Sequence, residues 1–212
     1  MPGMIISITG IDLAGKHTQS ELLAGKLRKY GYRVSSYSYP DYNSVYGRII
    51  RDYLEKKITM GTGELFLIFL ADMMKDKERI EREISTGSVI ITDRYFVDTI
   101  AYQSAGGLDC AMLKAVEDAM GLPKPGMVIY IDIPASVATE RKATHGGRPD
   151  KYEEDAAYLE KARRAYEELF EERYTGAEWI KIDGTDGIDN IHHRISEHAV
   201  RLLEAKKVPQ AI

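Results

Sequence analysis

Short apolar runs along the chain alternate with longer stretches in which apolar residues recur every three or four positions. The runs predict five strands, at 4–9, 33–39, 88–92, 127–133 and 178–182. The periodic stretches predict helices at 16–30, 45–56, 63–86, 108–120, 135–143, 151–174 and 188–203. Apolar strands that alternate with helices are typical of a parallel sheet covered on both faces, so we expect an α/β fold.

Glycine, proline and acidic residues mark several of the predicted element ends. Gly31 and Gly87 follow the first and the longest helix, where a left-handed residue commonly stops a helix. Pro40 ends the second strand, because it lacks the N–H group that a ladder requires. Asp150 and Glu153 predict an N-terminal cap for the helix that follows them.

Length and composition restrict the class of protein. The 212 residues contain no repeat or linker that divides them, so residues 1–212 are predicted to form a single domain. Lys and Arg total 29 against 33 Asp and Glu, and this net charge of −4 argues against a dedicated nucleic-acid-binding protein. The single Cys110 excludes an internal disulfide. We recognise no apolar run of about 20 residues and no signal peptide, so we expect a cytoplasmic protein without a membrane partner.

A glycine-rich loop between the first strand and the first helix has the spacing of a phosphate-binding loop. It reads Gly10, Ile11, Asp12, Leu13, Ala14, Gly15 and Lys16. Backbone N–H groups of such a loop, together with the helix N-terminus, form a cradle for phosphates, and the lysine adds a full positive charge. The alternative is an ordinary strand-to-helix turn with a surface lysine. The position between strand and helix favours the phosphate loop.

The residue after the lysine departs from the phosphate-loop pattern. A Ser or Thr hydroxyl usually binds Mg²⁺ there, whereas this chain has His17, and Thr18 comes one position later. A neutral imidazole is a poor ligand for a hard cation. Either the nucleotide, water and a carboxylate hold the Mg²⁺, or metal use is weak. For His17 itself, the alternative to a functional role is a solvent-facing residue in the first turn of the helix.

Beyond the loop, several motifs occur in a distinctive order along the chain. These are ITDRYFVDTIAYQ from residue 91, YIDIPASVATER from residue 130, GGRPDKYEEDAAYLEKAR from residue 146, and IDGT from residue 182. Together with GIDLAGKHTQS, they resemble thymidylate kinases, which are nucleoside monophosphate kinases of the P-loop class. The resemblance implies a three-layer P-loop fold with a five-stranded parallel sheet and a short lid. It also implies a homodimer that uses ATP, Mg²⁺ and a pyrimidine deoxynucleoside monophosphate.

The same resemblance implies roles for individual residues. The loop residues 10–18 would bind ATP, with Lys16 at the β- and γ-phosphates and Arg141 near the adenine. On the acceptor side, the implied contacts are Asp12 with the sugar hydroxyl, Arg94 with the phosphate, Phe69 stacked on the base, Gln103 at the polar edge of the base, and Tyr102 excluding a ribose 2′-hydroxyl. Asp93 would organise Mg²⁺ and its water. Transfer would be direct, because Cys110 has no evident activating neighbour in the sequence.

The segment 141–151 is predicted to be a lid. Gly146 and Gly147 permit hinge-like backbone angles, and four cationic residues occur within eleven positions. One subgroup of the family carries its catalytic arginine in the phosphate loop, where this chain has Leu13. The resemblance therefore implies that the lid supplies the arginine, for which we select Arg148, supported by Lys151.

Acceptor recognition shows three departures from the family pattern. Tyr42 stands two residues after Pro40, where relatives have an arginine, and Arg48 with Arg51 on the next helix are a hypothetical replacement. Met73 replaces an arginine that contacts the base carbonyl. Asp98 stands where many relatives have a small polar residue. A kinase for another pyrimidine nucleotide such as dUMP, or a P-loop nucleotide-binding switch, therefore remains an alternative to a dTMP kinase.

Overall fold

The computed structural model describes residues 2–145, 151–152 and 155–210. Five strands form a single sheet: β1 (Met4–Thr9), β2 (Val34–Ser38), β3 (Val89–Asp93), β4 (Met127–Asp132) and β5 (Glu178–Asp183). The helices of the described ranges are α1 (Lys16–Lys29), α2 (Val45–Leu54), α3 (Thr62–Met74), α4 (Lys77–Ser85), α5 (Phe96–Ala105), α6 (Cys110–Met120), α7 (Ala135–His145), α8 (Ala156–Glu171) and α9 (Ile188–Ala205).

The strands lie in the order β2-β3-β1-β4-β5, and every pair is parallel. All six residues of β1 are buried, as expected for a central strand with helices on both faces. β1 lies between β3 and β4. The chain therefore continues to one side of β1 with β2 and β3, and to the other side with β4 and β5. Ligands of such sheets bind at this point, beyond the carboxyl ends of the strands. The predicted α/β fold with a five-stranded parallel sheet is confirmed; the division into one domain stays a prediction.

The prediction of one helix over 63–86 is wrong, because the chain forms α3 and α4 with a break between them. At the break, the N–H group of Asp76 donates to the carbonyl of Met73 at 3.1 Å, which closes the turn one residue early. The Asp76 carboxylate accepts hydrogen bonds from Tyr39 Oη at 3.1 Å and from Lys75 Nζ at 2.8 Å. This contact with the end of β2 is a tertiary interaction that helical periodicity does not reveal.

Helix α5 was not predicted at all. Residues 96–103 of this helix are all buried, so the sequence lacks the polar face that marks an amphipathic helix. The Asp98 carboxylate accepts a hydrogen bond from the N–H group of Tyr95 at 3.0 Å, which caps the first turn directly after β3.

Helix α8 begins at Ala156, five residues later than predicted. Its cap is Asp155, whose carboxylate accepts a hydrogen bond from the N–H group of Tyr158 at 2.9 Å. The predicted capping pair of Asp150 and Glu153 lies outside the described residues, as do Gly146 and Gly147 of the predicted lid. No helix in the described part of the chain is both long and apolar enough to span a lipid bilayer.

Gly10 lies where the backbones of β1 and β4 come close together. It has φ of 140°, and an added Cβ would lie 2.3 Å from the carbonyl oxygen of Ile131. Both the backbone angle and the lack of space therefore require glycine at the start of the phosphate loop.

We expect Gly10→Ala to lower the free energy of unfolding by about 2–3 kcal/mol, because the new methyl group meets backbone that cannot move aside. Gly25→Ala is the matched control. Gly25 lies inside α1 with open space at its Cβ position, so the substitution should raise stability by about 0.5–1 kcal/mol. Urea denaturation of both variants measures the two effects, and equal changes would contradict the explanation.

Candidate active site

The register of the central strands brings two sequence motifs together. Ile8 on β1 pairs with Asp93 on β3, so both strands end at the same edge of the sheet. The N–H group of Arg94 then donates to the carbonyl of Ile8 at 3.0 Å. The phosphate loop after β1 and the Asp93–Arg94 pair after β3 are therefore direct neighbours.

The two cations expected to serve the phosphates lie in one cleft. Lys16 and Arg94 both line an open space of about 690 Å³, which we call the phosphate cleft. Its other lining residues are Leu13, Gly15, His17, Thr18 and Asp93. The Lys16 ammonium group donates to the carbonyl of Ile11 at 2.6 Å, so it lies folded against its own loop. Ile11 and Ala14 are buried and anchor the loop to the core.

Lys16 is unusually easy to deprotonate. Burial, followed by the positive charge of Arg94, lowers the pKa of Lys16 to about 8, although Asp12, Asp93 and Asp98 oppose the shift. An anionic phosphate in the cleft would supply the negative charge that the ammonium form requires.

A second cleft adjoins the first and contains the residues expected to bind the acceptor. This acceptor cleft has about 560 Å³ of space, and its lining includes all five of the expected residues: Asp12, Phe69, Arg94, Tyr102 and Gln103. Arg94 also lines the phosphate cleft, so this residue lies at the junction of the two. The geometry thus brings a candidate acceptor site and a candidate donor site together at one arginine.

The Arg94 guanidinium group is held between two carboxylates. Its Nη2 donates to Asp12 Oδ1, while its Nη1 lies 3.1 Å from Asp98 Oδ1 and 3.2 Å from the carbonyl oxygen of Gly10. The Tyr102 ring also packs against it, with 5.3 Å between Cζ and the ring centroid. Burial opposes the charged form, but Asp12, Tyr102 and Asp98 outweigh it and raise the pKa of Arg94. The arginine therefore stays charged although most of its side chain is shielded from solvent.

Asp12 ties the phosphate loop to helix α5. The Tyr102 hydroxyl donates to Asp12 Oδ2 at 2.6 Å, and the N–H group of Asp12 donates to the Tyr102 oxygen at 3.0 Å. Burial would raise the pKa of Asp12, but the charges of Arg94 and Lys16 prevail and lower it. Asp12 is thus an ionised partner of Arg94 in this structure.

Two supporting residues of the site were missed in the sequence. Asp98 was recognised only as a departure from the family pattern, and Tyr166 only as part of an apolar helical stripe. The Tyr166 hydroxyl donates to Asp98 Oδ1 at 2.8 Å, and Asp98 in turn binds Arg94. Burial raises the pKa of Asp98 despite the nearby Arg94 and Lys16. The i, i+4 spacing of Arg94 and Asp98 is the one signal that pointed to their pairing.

Comparisons with known proteins agree with this geometry. The family model described as "Thymidylate kinase" matches residues 8–195. The thymidylate kinase of Schizosaccharomyces pombe is 31% identical over 91% of this chain and 90% of its own length, and that of Homo sapiens is 28% identical over 96% and 94%. A solved thymidylate kinase from Candida albicans superposes with a TM-score of 0.77 at 25% identity, over 97% of this chain and 93% of its own. The chain belongs to the thymidylate kinase family.

Asp93 and His17 are neighbours in the phosphate cleft and could hold a metal ion. His17 Nδ1 lies 3.2 Å from Asp93 Oδ2, and both residues line the phosphate cleft. The Asp93 carboxylate is an oxygen ligand that suits Mg²⁺, whereas the His17 imidazole is not. The residues present therefore fit a divalent cation, with a mixed nitrogen and oxygen donor set in place of the hydroxyl that the P-loop pattern provides.

The segment 141–151, predicted to be a lid, lies partly outside the described residues. Arg148, predicted to be the catalytic arginine, lies outside the described residues. Arg141 donates to the carbonyls of Leu13 at 3.0 Å and Gly184 at 2.7 Å, so it bridges the phosphate loop and the IDGT turn. Lys151 donates to Tyr53 Oη at 2.8 Å and does not line the phosphate cleft. Its predicted supporting role would need a movement away from Tyr53.

The residues that depart from the family pattern line the acceptor cleft, whereas the two arginines considered as replacements do not. Met73 and Tyr42 both line the cleft. Arg51 stacks on the Tyr42 ring at 4.6 Å, and Arg48 donates to the carbonyl of Asn43 at 2.8 Å; neither side chain lines the cleft. Their hypothetical role in binding the acceptor phosphate stays a prediction, which unchanged monophosphate affinity in the two alanine variants would dismiss.

A further residue that the sequence did not single out holds the loop over this cleft. Asp72 on α3 is fully buried and accepts hydrogen bonds from the N–H group of Asp41 at 2.7 Å and from Ser44 Oγ at 2.6 Å. Lys75 neutralises it at 3.1 Å. Because Tyr42 lies between Asp41 and Ser44, Asp72 fixes the position of that part of the cleft wall.

The lowered pKa of Lys16 predicts that ADP binding takes up a proton at pH 8.5–9. Free protein holds Lys16 largely neutral above pH 8, and the phosphates favour the ammonium form, so affinity should fall as the pH rises past 8. Calorimetric titration in buffers of different ionisation enthalpy measures the uptake. Lys16→Arg stays protonated throughout and should show none, so equal uptake by the two proteins would refute the prediction.

Removing the Asp98 carboxylate should destabilise the protein strongly. We expect Asp98→Ala to cost about 3–5 kcal/mol, because it leaves part of the buried Arg94 charge and the Tyr95 N–H group uncompensated. Tyr166→Phe, which removes one hydrogen bond to the same carboxylate, should cost only about 1 kcal/mol. Denaturant unfolding measures both, and similar costs would show that Asp98 is not a counter-ion of Arg94.

Proposed function

We propose that the protein transfers the γ-phosphoryl group of ATP to dTMP, giving dTDP and ADP. The observation that carries this proposal is the position of Arg94, which lines both the phosphate cleft and the acceptor cleft. A group that faces both substrates is what a direct transfer between two nucleotides requires. Membership of the thymidylate kinase family supports the choice of dTMP as the acceptor.

The transfer itself needs positioning and charge neutralisation. An oxygen of the acceptor phosphate attacks the γ-phosphorus while the bond from that phosphorus to the bridging oxygen of ADP breaks, so no covalent enzyme intermediate forms. Lys16 would bind the β- and γ-phosphates and Arg94 the acceptor phosphate, because like-charged phosphates approach each other only among converging cations. The planar guanidinium group of Arg94 suits a bidentate contact with phosphate.

Acceptor recognition in this proposal uses the lining of the second cleft. Phe69 would stack on the base, Gln103 would bind its polar edge, and Tyr102 would exclude a ribose 2′-hydroxyl. Asp12 would reach the sugar hydroxyl. The Gln103 side chain is buried in the cleft wall, and its carboxamide offers both a donor and an acceptor to the base.

On the donor side, we propose that a divalent metal ion, Mg²⁺ in the usual P-loop case, accompanies ATP near Asp93. When bound, the ion would neutralise charge on the β- and γ-phosphates. The remaining phosphate-loop residues 10–18 would cradle those phosphates through their N–H groups, and Arg141 would lie near the adenine. Closure of the lid with Arg148 and assembly of a homodimer are further parts of the same proposal.

The alternatives receive less support. The relatives and the solved structure compared above are thymidylate kinases, and nothing in them favours a nucleotide-binding switch. A dUMP preference would need a cleft that rejects the thymine methyl group. Met73, where relatives have an arginine, adds an apolar side chain to the cleft and does not create such a rejection.

The proposal predicts that ADP forms rapidly only when dTMP is added. Arg94→Lys should lower kcat/KM for dTMP by about 100-fold, because an ammonium group cannot replace the bidentate contact. Arg82→Ala, at an exposed arginine of α4 that pairs with Glu78, is the control and should behave like wild type. Assays of ADP formation with dTMP, dUMP and dCMP side by side measure the preference for the acceptor. Slow ATP hydrolysis at the same rate with and without every monophosphate would refute the proposed kinase activity.

A further inference from the structure

The proposed function gives the side chain of His17 no task, although this side chain lines the phosphate cleft. His17 directly follows Lys16, at the position where the P-loop pattern places a metal-binding hydroxyl. Its side chain is 73% exposed at the cleft mouth, with Nδ1 3.2 Å from Asp93 Oδ2 and Nε2 3.5 Å from Glu21 Oε1. The imidazole is therefore held between two carboxylates at the place where the nucleotide phosphates would lie.

We propose that His17 Nδ1 and an Asp93 oxygen together bind the divalent ion that arrives with ATP, and that the imidazole shifts metal preference from Mg²⁺ toward transition metals such as Mn²⁺ and Co²⁺. The inference rests on the proposed function, because phosphate and water oxygens complete the coordination. No group of three His, Cys, Asp or Glu side chains in the described ranges could hold a metal ion without such help.

The spacing of the two protein atoms fits this role. Neighbouring ligands of an octahedral ion, each about 2.1–2.2 Å from the metal, lie about 3.0 Å apart. The observed separation of 3.2 Å between His17 Nδ1 and Asp93 Oδ2 is close to that value. A proton or a metal ion can therefore occupy the space between these atoms with little movement of either side chain.

The second carboxylate can hold the ring proton once the metal is bound. Without the ion, the 3.2 Å contact between Nδ1 and Asp93 Oδ2 is the shorter one and holds a proton between these atoms. When the ion takes the place of that proton, Glu21 on the Nε2 side accepts the remaining N–H group and leaves the Nδ1 lone pair for the metal. Metal-bound histidines commonly have their other ring nitrogen oriented by a carboxylate in this way. Nitrogen ligands bind transition metals more strongly than they bind Mg²⁺, so the preference follows from the donor set.

The test uses the full-length protein with ADP, in which no turnover occurs. Calorimetry measures the dissociation constants of Co²⁺ and Mg²⁺ for this complex in wild type, His17→Ser and His193→Ser. We expect the preference for Co²⁺ over Mg²⁺ to fall on the order of tenfold in His17→Ser, which restores the hydroxyl of the P-loop pattern. His193, an exposed histidine of α9, is the matched control, and its substitution should leave the preference unchanged.

A spectroscopic measurement identifies the ligand directly. In the complex of wild type with Mn²⁺ and ADP, electron spin-echo envelope modulation should show coupling to a nitrogen that changes when histidine is labelled with ¹⁵N. His17→Ser should abolish this coupling, whereas His193→Ser should retain it. Because the labelled wild-type protein alone answers the question, the test does not depend on the variant folding.

Two outcomes overturn the inference. One is a wild-type complex without histidine coupling, and the other is an equal metal preference in wild type and His17→Ser. Weakened metal binding in Thr18→Ala without histidine coupling would assign the ligand to the Thr18 hydroxyl instead. ADP formation with dTMP, measured on the same preparations, separates the two claims: its absence with every metal refutes the kinase, while histidine coupling reports on His17 alone.

Discussion

The structure depends on one electrostatic arrangement, in which Arg94 remains charged although most of its side chain is shielded from solvent at the end of β3. Asp12 and Asp98 supply the compensating charges, one from the phosphate loop and the other from α5. An uncompensated guanidinium group in this position would cost several kcal/mol. Under the proposed function, a dianionic acceptor would compete with Asp12 for the same arginine. The network that keeps Arg94 charged would then also control its release to the acceptor phosphate.

Two residues with strained backbone angles lie at the same place. Leu13 in the phosphate loop and Arg94 both have positive φ, of 63° and 66°, although neither is glycine. Such angles cost on the order of 1–3 kcal/mol each and persist where the surrounding structure fixes them. The backbone of Arg94 is fixed by a hydrogen bond from its N–H group to the carbonyl of Ile8 on β1. The register of β1 against β3 thus sets the direction in which the arginine leaves the sheet.

Local pattern was sufficient for the strands and for the phosphate loop, because both are continuous in sequence and need little from the rest of the chain. The grouping of Asp12, Phe69, Arg94, Tyr102 and Gln103 in one cleft also followed, but only through the resemblance to a family. The break between α3 and α4 did not follow, since it depends on the contact of Asp76 with Tyr39 across the fold. The supporting role of Tyr166 required a tertiary contact as well.

Helix α5 shows why the most informative element was the hardest to recognise. Four of its residues and its N-cap line the acceptor cleft at a helical spacing, namely Asp98, Thr99, Tyr102 and Gln103 with the cap Tyr95. This face is mixed in polarity because it serves a ligand, while the opposite face is buried in the core, so no contrast between an apolar and a solvent face remains. The same helix caps itself with Asp98, holds Arg94 through that carboxylate and binds the phosphate loop through Tyr102. A substitution on the cleft-lining face of α5 should therefore also shift Arg94 and the phosphate loop, which this helix holds through Asp98 and Tyr102.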